Sequence, residues 1–433
     1  MDYKQEYEKK LGTLQDAYQL VNSGDTIVLA GDCNCPKAFA GELHTQADRL
    51  ENVTVFKDHS NPADFARLEG MAGHINSVGF FYGKDLIEGM QHRNSSFFPT
   101  DLCNYASFLN QERDMTLFVA AAAPMNEEGY FQVGLCNMWE GDCLDYALQN
   151  HCKIIIEENP NLPWVSGGAV VPVSAVTCVV KVDYPMGTIP AAKPTEEEVK
   201  VAQNVRSLLK DGDCVQFGIG SLPDAIASQC MDLQDLGLHT EMITTALGEM
   251  IRKGVITGMR KNFHHGEHLF TFAGGDEALY QTLGEDRQCV NVRGSYGVNP
   301  MVICKNDNMV SVNTLIEMDL TGQVCSESIG PRQHSGSGGG FDFAYGAMMS
   351  KGGRGIMAFT SKTKKGYSKI RPLLAQGAVV TVPRNYVDYI VTEYGIAQMR
   401  GRSVRERAQA LIGIAHPDFR GELRKEAEKL LYF

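Results

Sequence analysis

The sequence predicts an α/β protein made of two similarly folded halves with largely parallel sheets. At 433 residues the chain is too long for one ordinary hydrophobic core. Apolar strand-like runs alternate with helix-like segments, which is typical of parallel sheets. The third observation is an internal repeat: residues 24–36 read GDTIVLAGDCNCP and residues 212–223 read GDCVQFGIGSLP. Each has a Gly-Asp pair, an apolar run, a glycine-containing turn and a proline suited to open a helix.

The composition indicates a soluble protein whose partners are neither nucleic acids nor membranes. Acidic residues number 52 against 40 basic ones, and the formal net charge of -12 disfavours binding of the whole surface to polyanions. The N-terminal MDYKQEYEKK lacks the apolar run of a secretory signal, and the longest apolar run, residues 117–125, falls short of the roughly 20 residues that span a bilayer. Twelve cysteines without a CxxC pair fit a reduced, cytoplasmic chain with no metal site.

The two halves are predicted to join within residues 184–198, where three prolines and a glycine interrupt regular structure. We therefore expect one domain over residues 1–188 and a second over residues 189–433. Thr195 followed by three glutamates is typical of a helix start, because a capping hydroxyl and acidic first-turn residues suit the positive end of a helix. That helix is predicted to run to about Lys210.

A single carboxylate is conspicuous in the predicted strand LHTEMI, residues 238–243. Glu241 lies eighteen residues after Pro223, whereas Thr54 lies eighteen residues after Pro36, so the repeat predicts this carboxylate in the second half alone. A buried carboxylate needs a partner or a use, and His239, on the same strand face, is a candidate partner. An unperturbed glutamate is ionised at neutral pH, so it could act as a nucleophile without a base.

Two glycine-containing segments could bring backbone N–H groups to a ligand. In FGIGSLPDAIASQ (217–229) a predicted strand ends and Pro223 is expected to start a helix, which fits either an anion site or an ordinary tight turn. In HSGSGGGFDFAYGA (334–347), five glycines between 336 and 346 pass directly into core-like Phe-Asp-Phe. This combination favours a loop that contacts a ligand or a developing oxyanion over a flexible linker.

Two polar clusters leave more than one interpretation open. Residues 361–371 (SKTKKGYSKIR) contain five basic side chains, Lys362 among them, which could bind phosphate groups or form a solvated loop. Residues 264–268 (HHGEH) lack the HExxH spacing of a zinc site, so surface histidines are expected there.

Several of these motifs together resemble one known family. They are GIGSLPDAI (218–226), LHTEMI (238–243), SVNTLIEMDLTGQV (311–324), GSGGGFDF (336–343) and TEYGIAQMRGRSVRERAQALIGIAHPDFR (392–420). The whole chain resembles the acetyl-CoA hydrolase/transferase group of family I CoA-transferases, nearest to the 4-hydroxybutyrate and butyryl-CoA:acetate CoA-transferases. One departure is Gly340, which stands where the glycine loop of this family usually has glutamine.

The resemblance implies roles for named residues. It implies two similar α/β domains with the active site between them and makes Glu241 the nucleophile. The remaining positions implied or proposed for coenzyme A are the turn Gly218, Ile219, Gly220, Ser221 and Leu222, the loop glycines Gly338, Gly339 and Gly340, and Asn313 and Lys362.

The implied activity is transfer of CoA from 4-hydroxybutyryl-CoA or butyryl-CoA to a carboxylate such as acetate, through a glutamyl anhydride and a γ-glutamyl-CoA thioester. Coenzyme A would be substrate and covalent intermediate, with no permanently bound cofactor, and the protein would be a homodimer or a dimer of dimers. An acyl-CoA hydrolase and a non-catalytic CoA-binding protein are the alternatives. A nicotinamide oxidoreductase is disfavoured because neither half contains GxGxxG.

Overall fold

The computed structural model describes residues 2–59, 63–190 and 192–433. The strands among these residues are β1 Leu11–Gly12, β2 Thr26–Leu29, β3 Val53–Lys57, β4 Ile75–Gly79, β5 Ser95–Phe97, β6 Leu117–Ala122, β7 Tyr130–Val133, β8 Lys153–Glu158, β9 Ala169–Pro172, β10 Cys178–Lys181, β11 Cys214–Phe217, β12 Gly237–Thr244, β13 His268–Gly274, β14 Cys289–Asn291, β15 Met309–Asn313, β16 Glu317–Asp319, β17 Val324–Cys325, β18 Ser328–Ile329, β19 Arg332–Gln333, β20 Arg354–Ala358, β21 Ile370–Arg371, β22 Tyr389–Thr392 and β23 Gly395–Gln398.

The α-helices of the same residues are α1 Tyr3–Lys10, α2 Leu14–Gln19, α3 Lys37–Glu42, α4 Asp64–Arg67, α5 Lys84–Gln91, α6 Tyr105–Glu112, α7 Glu140–Gln149, α8 Glu196–Arg206, α9 Ser221–Gln229, α10 Thr245–Arg252, α11 Glu277–Glu285, α12 Gly294–Gly297, α13 Pro300–Ile303, α14 Gly340–Met349, α15 Val404–Ile414 and α16 Pro417–Lys429. Short 3-10 helices cover Asp32–Asn34, Leu43–Arg49, Leu102–Asn104, Val173–Ala175 and Arg384–Tyr386. None of the helices in the described part of the chain has the length and hydrophobicity needed to cross a bilayer.

The chain divides into two compact units. The first comprises Met1–Ile189 and Leu269–Gly297, and the second comprises Pro190–His268 and Val298–Phe433. A domain boundary between residues 188 and 189 stays a prediction, and the first unit also takes in residues 269–297, which the sequence grouped with the second half. Residue 191 of the predicted join lies outside the described residues.

The first unit is built on an eight-stranded sheet with the order β1-β10-β8-β6-β2-β3-β4-β5. All of its strand pairs are parallel. Every residue of β6, LFVAAA, is buried, because a parallel sheet covered on both faces needs a continuous apolar run. Within this unit the Lys57 Nζ lies 2.7 Å from Asp85 Oδ2, and both side chains are buried.

The second unit contains the strand order β12-β11-β15-β20-β22-β23. The first five of these strands run parallel, and β23 is antiparallel to β22. A small sheet with the order β17-β16-β21 and the hairpin β18-β19 lie in the same unit. The prediction of an α/β fold with largely parallel sheets is confirmed.

The strand registers confirm the repeat but correct its alignment. Thr26 on β2 pairs with Thr54 on β3, and Cys214 on β11 pairs with Gly237 on β12. Since Thr26 and Cys214 each follow the repeated Gly-Asp pair, Thr54 corresponds to Gly237, and the residue four further on, Asp58, corresponds to Glu241. The prediction that Thr54 matches Glu241 and that the first half lacks this carboxylate is wrong, because the connections between the paired strands differ in length.

Helix α8 begins as the sequence predicts. The Thr195 side chain accepts the Glu198 N–H, and the Glu198 carboxylate accepts the Thr195 N–H at 2.7 Å, which is a complete capping box. The helix ends at Arg206 rather than at the predicted Lys210.

Candidate active site

Glu241 lies in the carboxyl-terminal half of β12. Its strand neighbours Thr240 and Met242 are buried, whereas Glu241 itself is half-buried. β11 pairs with β12 at Cys214–Gly237 and Val215–Leu238 and ends at Phe217, directly before Gly218. Glu241 therefore lies on the carboxyl-terminal side of the paired segment, toward the edge at which such sheets bind ligands.

One hydrogen bond connects Glu241 to the glycine loop. The Gly339 N–H donates to Glu241 Oε2 at 3.0 Å. Burial raises the pKa of Glu241 to about 7, and the Gly339 N–H opposes this rise by stabilising the anion. The surroundings thus desolvate the charge of Glu241, so its pKa departs from that of the unperturbed glutamate considered from the sequence.

His239, the candidate partner of Glu241, is fully buried. Its Nδ1 forms a hydrogen bond of 2.9 Å with the Asn306 amide nitrogen, and its ring packs edge-on against Phe343. Phe343 is part of α14, the helix that follows the glycine loop. His239 thus packs against the helix that Gly339 precedes.

The two adjacent glycines 339 and 340 occupy different surroundings. A Cβ on Gly339 would lie 2.5 Å from Glu241 Oε2 and 2.6 Å from Val298 Cγ1, whereas a Cβ on Gly340 would meet no atom within 4 Å. Gly339 is the N-cap of α14 and Gly340 its first residue, and Gly338 has a positive φ of 54°. Close approach to the carboxylate thus requires glycine at 339, while the backbone at 340 has room for a side chain.

The predicted CoA-binding turn leads into a helix of nine residues. The Gly218 N–H donates to the Val312 carbonyl at 3.0 Å, and Gly220, with φ of 113°, caps the helix. The helix begins at Ser221 and not at Pro223 as predicted, since the positive φ of Gly220 reverses the chain before the proline. Ser221 Oγ donates to Glu198 Oε1 at 2.7 Å, which attaches the turn to α8.

The other two predicted site residues have different settings. The Asn313 side chain, at the end of β15, exchanges two hydrogen bonds of 3.3 Å with Gln216 on the adjacent β11. Lys362 is exposed and interacts electrostatically with Glu197, in the first turn of α8. Asn313 therefore lies at the same sheet edge as Gly218. Lys362 lies near the first turn of α8, the helix whose Glu198 accepts the hydrogen bond from Ser221.

No group of three or more histidine, cysteine, aspartate or glutamate side chains in residues 2–59, 63–190 and 192–433 is arranged to hold a metal ion. Within HHGEH, the His264 ring bonds to the Glu267 carboxylate. The expectation of surface histidines is met by the exposed His265 but is wrong for His268, which is buried at the start of β13.

The sequence did not predict the residues that hydrogen-bond to the predicted site residues and to the glycine loop. Glu198 and Gln216 hold Ser221 and Asn313, and Glu327 binds Ser337 in the glycine loop. Glu198 was visible only as a first-turn helix residue. Neither Gln216 nor Glu327 belongs to a motif that points to such a role, because each acts through a contact distant in sequence.

Comparison with protein-family models assigns both halves of the chain. The acetyl-CoA hydrolase/transferase N-terminal domain matches residues 1–190, and the acetyl-CoA hydrolase/transferase C-terminal domain matches residues 275–427. The chain belongs to the acetyl-CoA hydrolase/transferase family. The family resemblance read from the sequence is thereby confirmed.

Full-length relatives of this family member carry transferase names. The 4-hydroxybutyrate coenzyme A transferase of Clostridium kluyveri is 34% identical over 99% of the chain and 100% of the relative. The butyryl-CoA:acetate CoA-transferase of Anaerostipes caccae is 34% identical over 99% of the chain and 98% of the relative. A solved 4-hydroxybutyrate CoA-transferase from Porphyromonas gingivalis superposes with a TM-score of 0.80 at 31% identity, over 99% of this chain and 100% of that one. The prediction that the chain is an enzyme, a CoA-transferase, is confirmed.

The contrast between the two glycines yields a matched pair of variants. In G339A the new methyl group displaces the Glu241 carboxylate, so we expect at least a roughly 100-fold loss of transferase activity, as small misplacements at reacting groups produce. G340A adds the same methyl group in open space and should keep activity within about threefold and stability at or above wild type. Steady-state kinetics and thermal unfolding measure both; equal losses in the two variants would contradict the assignment of Gly339.

The raised pKa of Glu241 predicts how E241Q changes stability with pH. In the wild type the folded state binds more protons than the unfolded state between pH 4.5 and about 7, so the penalty of the buried charge grows across this window and is complete above it. E241Q lacks that penalty. Its stability relative to wild type should increase from pH 4.5 to 7 by up to about 3 kcal/mol and then stay constant. Urea unfolding at several pH values tests this; a constant difference from pH 4 to 8 would contradict it.

Proposed function

We propose that this enzyme transfers CoA between a short-chain acyl-CoA, 4-hydroxybutyryl- or butyryl-CoA, and a carboxylate such as acetate, with Glu241 as the covalent nucleophile. The observation that carries the proposal is the half-buried Glu241 carboxylate at the sheet edge, held on one oxygen by the Gly339 N–H. The names of the relatives from Clostridium kluyveri and Anaerostipes caccae support the substrate class.

The proposed reaction begins with attack of a Glu241 oxygen on the thioester carbonyl. The carbon–sulfur bond breaks, CoA leaves as thiolate, and the acyl group remains on Glu241 as a mixed anhydride. The thiolate then attacks the glutamyl carbonyl, the original acid leaves as its carboxylate, and a γ-glutamyl-CoA thioester remains. The acceptor carboxylate repeats the two steps in reverse and leaves as the new acyl-CoA. The thioester bond is conserved, so the exchange consumes no ATP.

Gly339 has two functions in this sequence. Its N–H holds one carboxylate oxygen, which leaves the other free to attack. When the thiolate adds to the glutamyl carbonyl, the same N–H faces the oxygen on which negative charge develops. A preorganised donor of this kind is worth about 3–4 kcal/mol in other acyl-transfer sites.

Burial of Glu241 serves the chemistry as well. A carboxylate whose pKa is raised to about 7 is more basic than an ordinary glutamate, and nucleophilic reactivity rises with basicity. With a pKa of about 7, part of the free enzyme carries the reactive anion at neutral pH. The enzyme thus combines a usable anion fraction with a more reactive oxygen.

The remaining contacts suit coenzyme A as the substrate. The Ser221 and Leu222 N–H groups, in the first turn of α9 and within the turn 218–222, favour an anionic group. Lys362 and the basic loop 361–371 provide charge for the phosphates. The proposal includes no permanently bound cofactor and a homodimer or a dimer of dimers, both from the family resemblance, and a cytoplasmic location from the cysteine pattern.

The proposal predicts a covalent adduct. After mixing with butyryl-CoA in the absence of acceptor, intact and peptide mass spectrometry should find CoA attached to Glu241 in the wild type and nothing at this position in E241Q. Borohydride reduction of the thioester, followed by peptide mapping, provides a second readout at the same residue. Steady release of free CoA without an adduct would favour a hydrolase, and CoA binding that E241Q leaves unchanged, without any acyl exchange, would favour a binding protein.

The rate of adduct formation should depend on pH through Glu241. Only the anion attacks, so the second-order rate with butyryl-CoA should rise with pH, reach half its maximum near pH 7 and level off above, as the raised pKa requires. Rapid-quench mixing followed by intact mass spectrometry of the CoA adduct measures this rate. A rate that is already maximal at pH 5.5 would show that Glu241 titrates as an ordinary glutamate.

A further inference from the structure

Glu327 is a buried carboxylate behind the glycine loop. It follows β17, is 4% exposed, and accepts hydrogen bonds from three side chains. Ser337 Oγ donates at 3.3 Å to Oε2 and Gln333 Nε2 donates at 3.0 Å to the same oxygen, while Thr381 Oγ1 donates at 2.9 Å to Oε1. A buried carboxylate that accepts this number of hydrogen bonds is held in one position and restrains the residues that donate to it.

The backbone of the same residue holds the beginning of the loop. The Glu327 carbonyl accepts the His334 N–H at 2.8 Å and the Ser335 N–H at 3.1 Å. Glu327 therefore attaches the loop at residues 334, 335 and 337. Gly339, whose N–H binds Glu241, follows only two residues later.

Thr381, which binds the other carboxylate oxygen of Glu327, is itself hydrogen-bonded to the strand β17 and the residue after it. Thr381 donates its own N–H to the Val324 carbonyl at 2.8 Å, and its hydroxyl oxygen accepts the Ser326 N–H at 3.0 Å. Val324 belongs to the small sheet β17-β16-β21. A chain of hydrogen bonds thus connects this sheet, through Thr381 and Glu327, to Ser337 in the glycine loop.

We propose that Glu327 is a positioning residue for the transfer reaction, which fixes the glycine loop so that the Gly339 N–H meets the Glu241 carboxylate. This proposal rests on the proposed function for its kinetic consequence, but its geometric part concerns only the Gly339–Glu241 contact. The tolerance is small, because a Cβ at Gly339 would already collide with Glu241 Oε2 at 2.5 Å. A loop displaced by a fraction of an ångström would weaken the bond or press on the carboxylate.

The test follows the titration of Glu241 in variants that change Glu327 or its contact with the glycine loop. Removal of the Glu327 carboxylate in E327A releases Ser337, so the Gly339 bond should weaken and the Glu241 anion should lose stabilisation. We expect the titration midpoint of Glu241 to rise by about one pH unit, the order of effect of one hydrogen bond to a charged group. The midpoint is read from the pH dependence of unfolding free energy with and without E241Q, a measurement that needs no catalysis.

Kinetics supply the second readout. In E327A, adduct formation from butyryl-CoA should fall about tenfold at pH 7 and recover partly at pH 9, with the Kd of CoA within about threefold of wild type. E327Q retains one acceptor oxygen and should lie between E327A and wild type. S337A removes one loop contact and should show a smaller rise of the midpoint, which preserves the test if E327A does not fold.

The matched control is D319N. Asp319 is a fully buried carboxylate on β16 in the same small sheet, and its hydrogen bonds go to its own turn, residues 321–323. D319N should lower stability and leave the Glu241 midpoint unchanged. The proposal would be overturned if the titration midpoint of Glu241 in E327A and in S337A were the same as in the wild type and in D319N. A shifted midpoint without any CoA adduct in the wild type would support the positioning role and reject the proposed covalent function.

Discussion

The hydrogen bond from the Gly339 N–H to the Glu241 carboxylate is the contact on which the rest of the site depends. It joins the end of a glycine loop to the middle of a parallel strand. Burial disfavours the glutamate anion, and this donor restores part of what burial removes. The two effects oppose each other at the same carboxylate, and loss of the Gly339 contact would raise its pKa further.

The sequence predicts those parts of the structure that local chemistry determines. Alternating strand and helix patterns predicted the α/β fold, and Thr195 with its following glutamates predicted the start of α8. The glycine density of residues 336–340 predicted a loop that contacts a ligand or an oxyanion, which stays a prediction, and the structure has a close approach of this loop to the Glu241 carboxylate at Gly339. The helix start is determined within a few residues along the chain, whereas the partner of the glycine loop, Glu241, is distant in sequence.

The features that the sequence did not predict depend on contacts between distant segments. The pKa of Glu241 depends on how completely neighbouring elements exclude water, which no local pattern encodes. The correspondence of Asp58 with Glu241 depends on strand register, whereas counting from the prolines mixes register with loop length. Glu327 is one acidic residue among 52 until Ser337 and Thr381 are brought to it by the fold.

The parallel register of β12 also determines where the chain can change in length. Successive side chains of a strand face opposite sides of the sheet, so a slip of β12 by one residue against β11 would put Thr240 or Met242 in the place of Glu241. The buried side chains of the strand fix this register. The connection before the strand does not fix it, since the two repeated units keep the same pairing with connections of different length. A residue gained between α9 and β12 is therefore taken up by the loop, whereas a residue gained inside β12 turns the glutamate to the other side of the sheet.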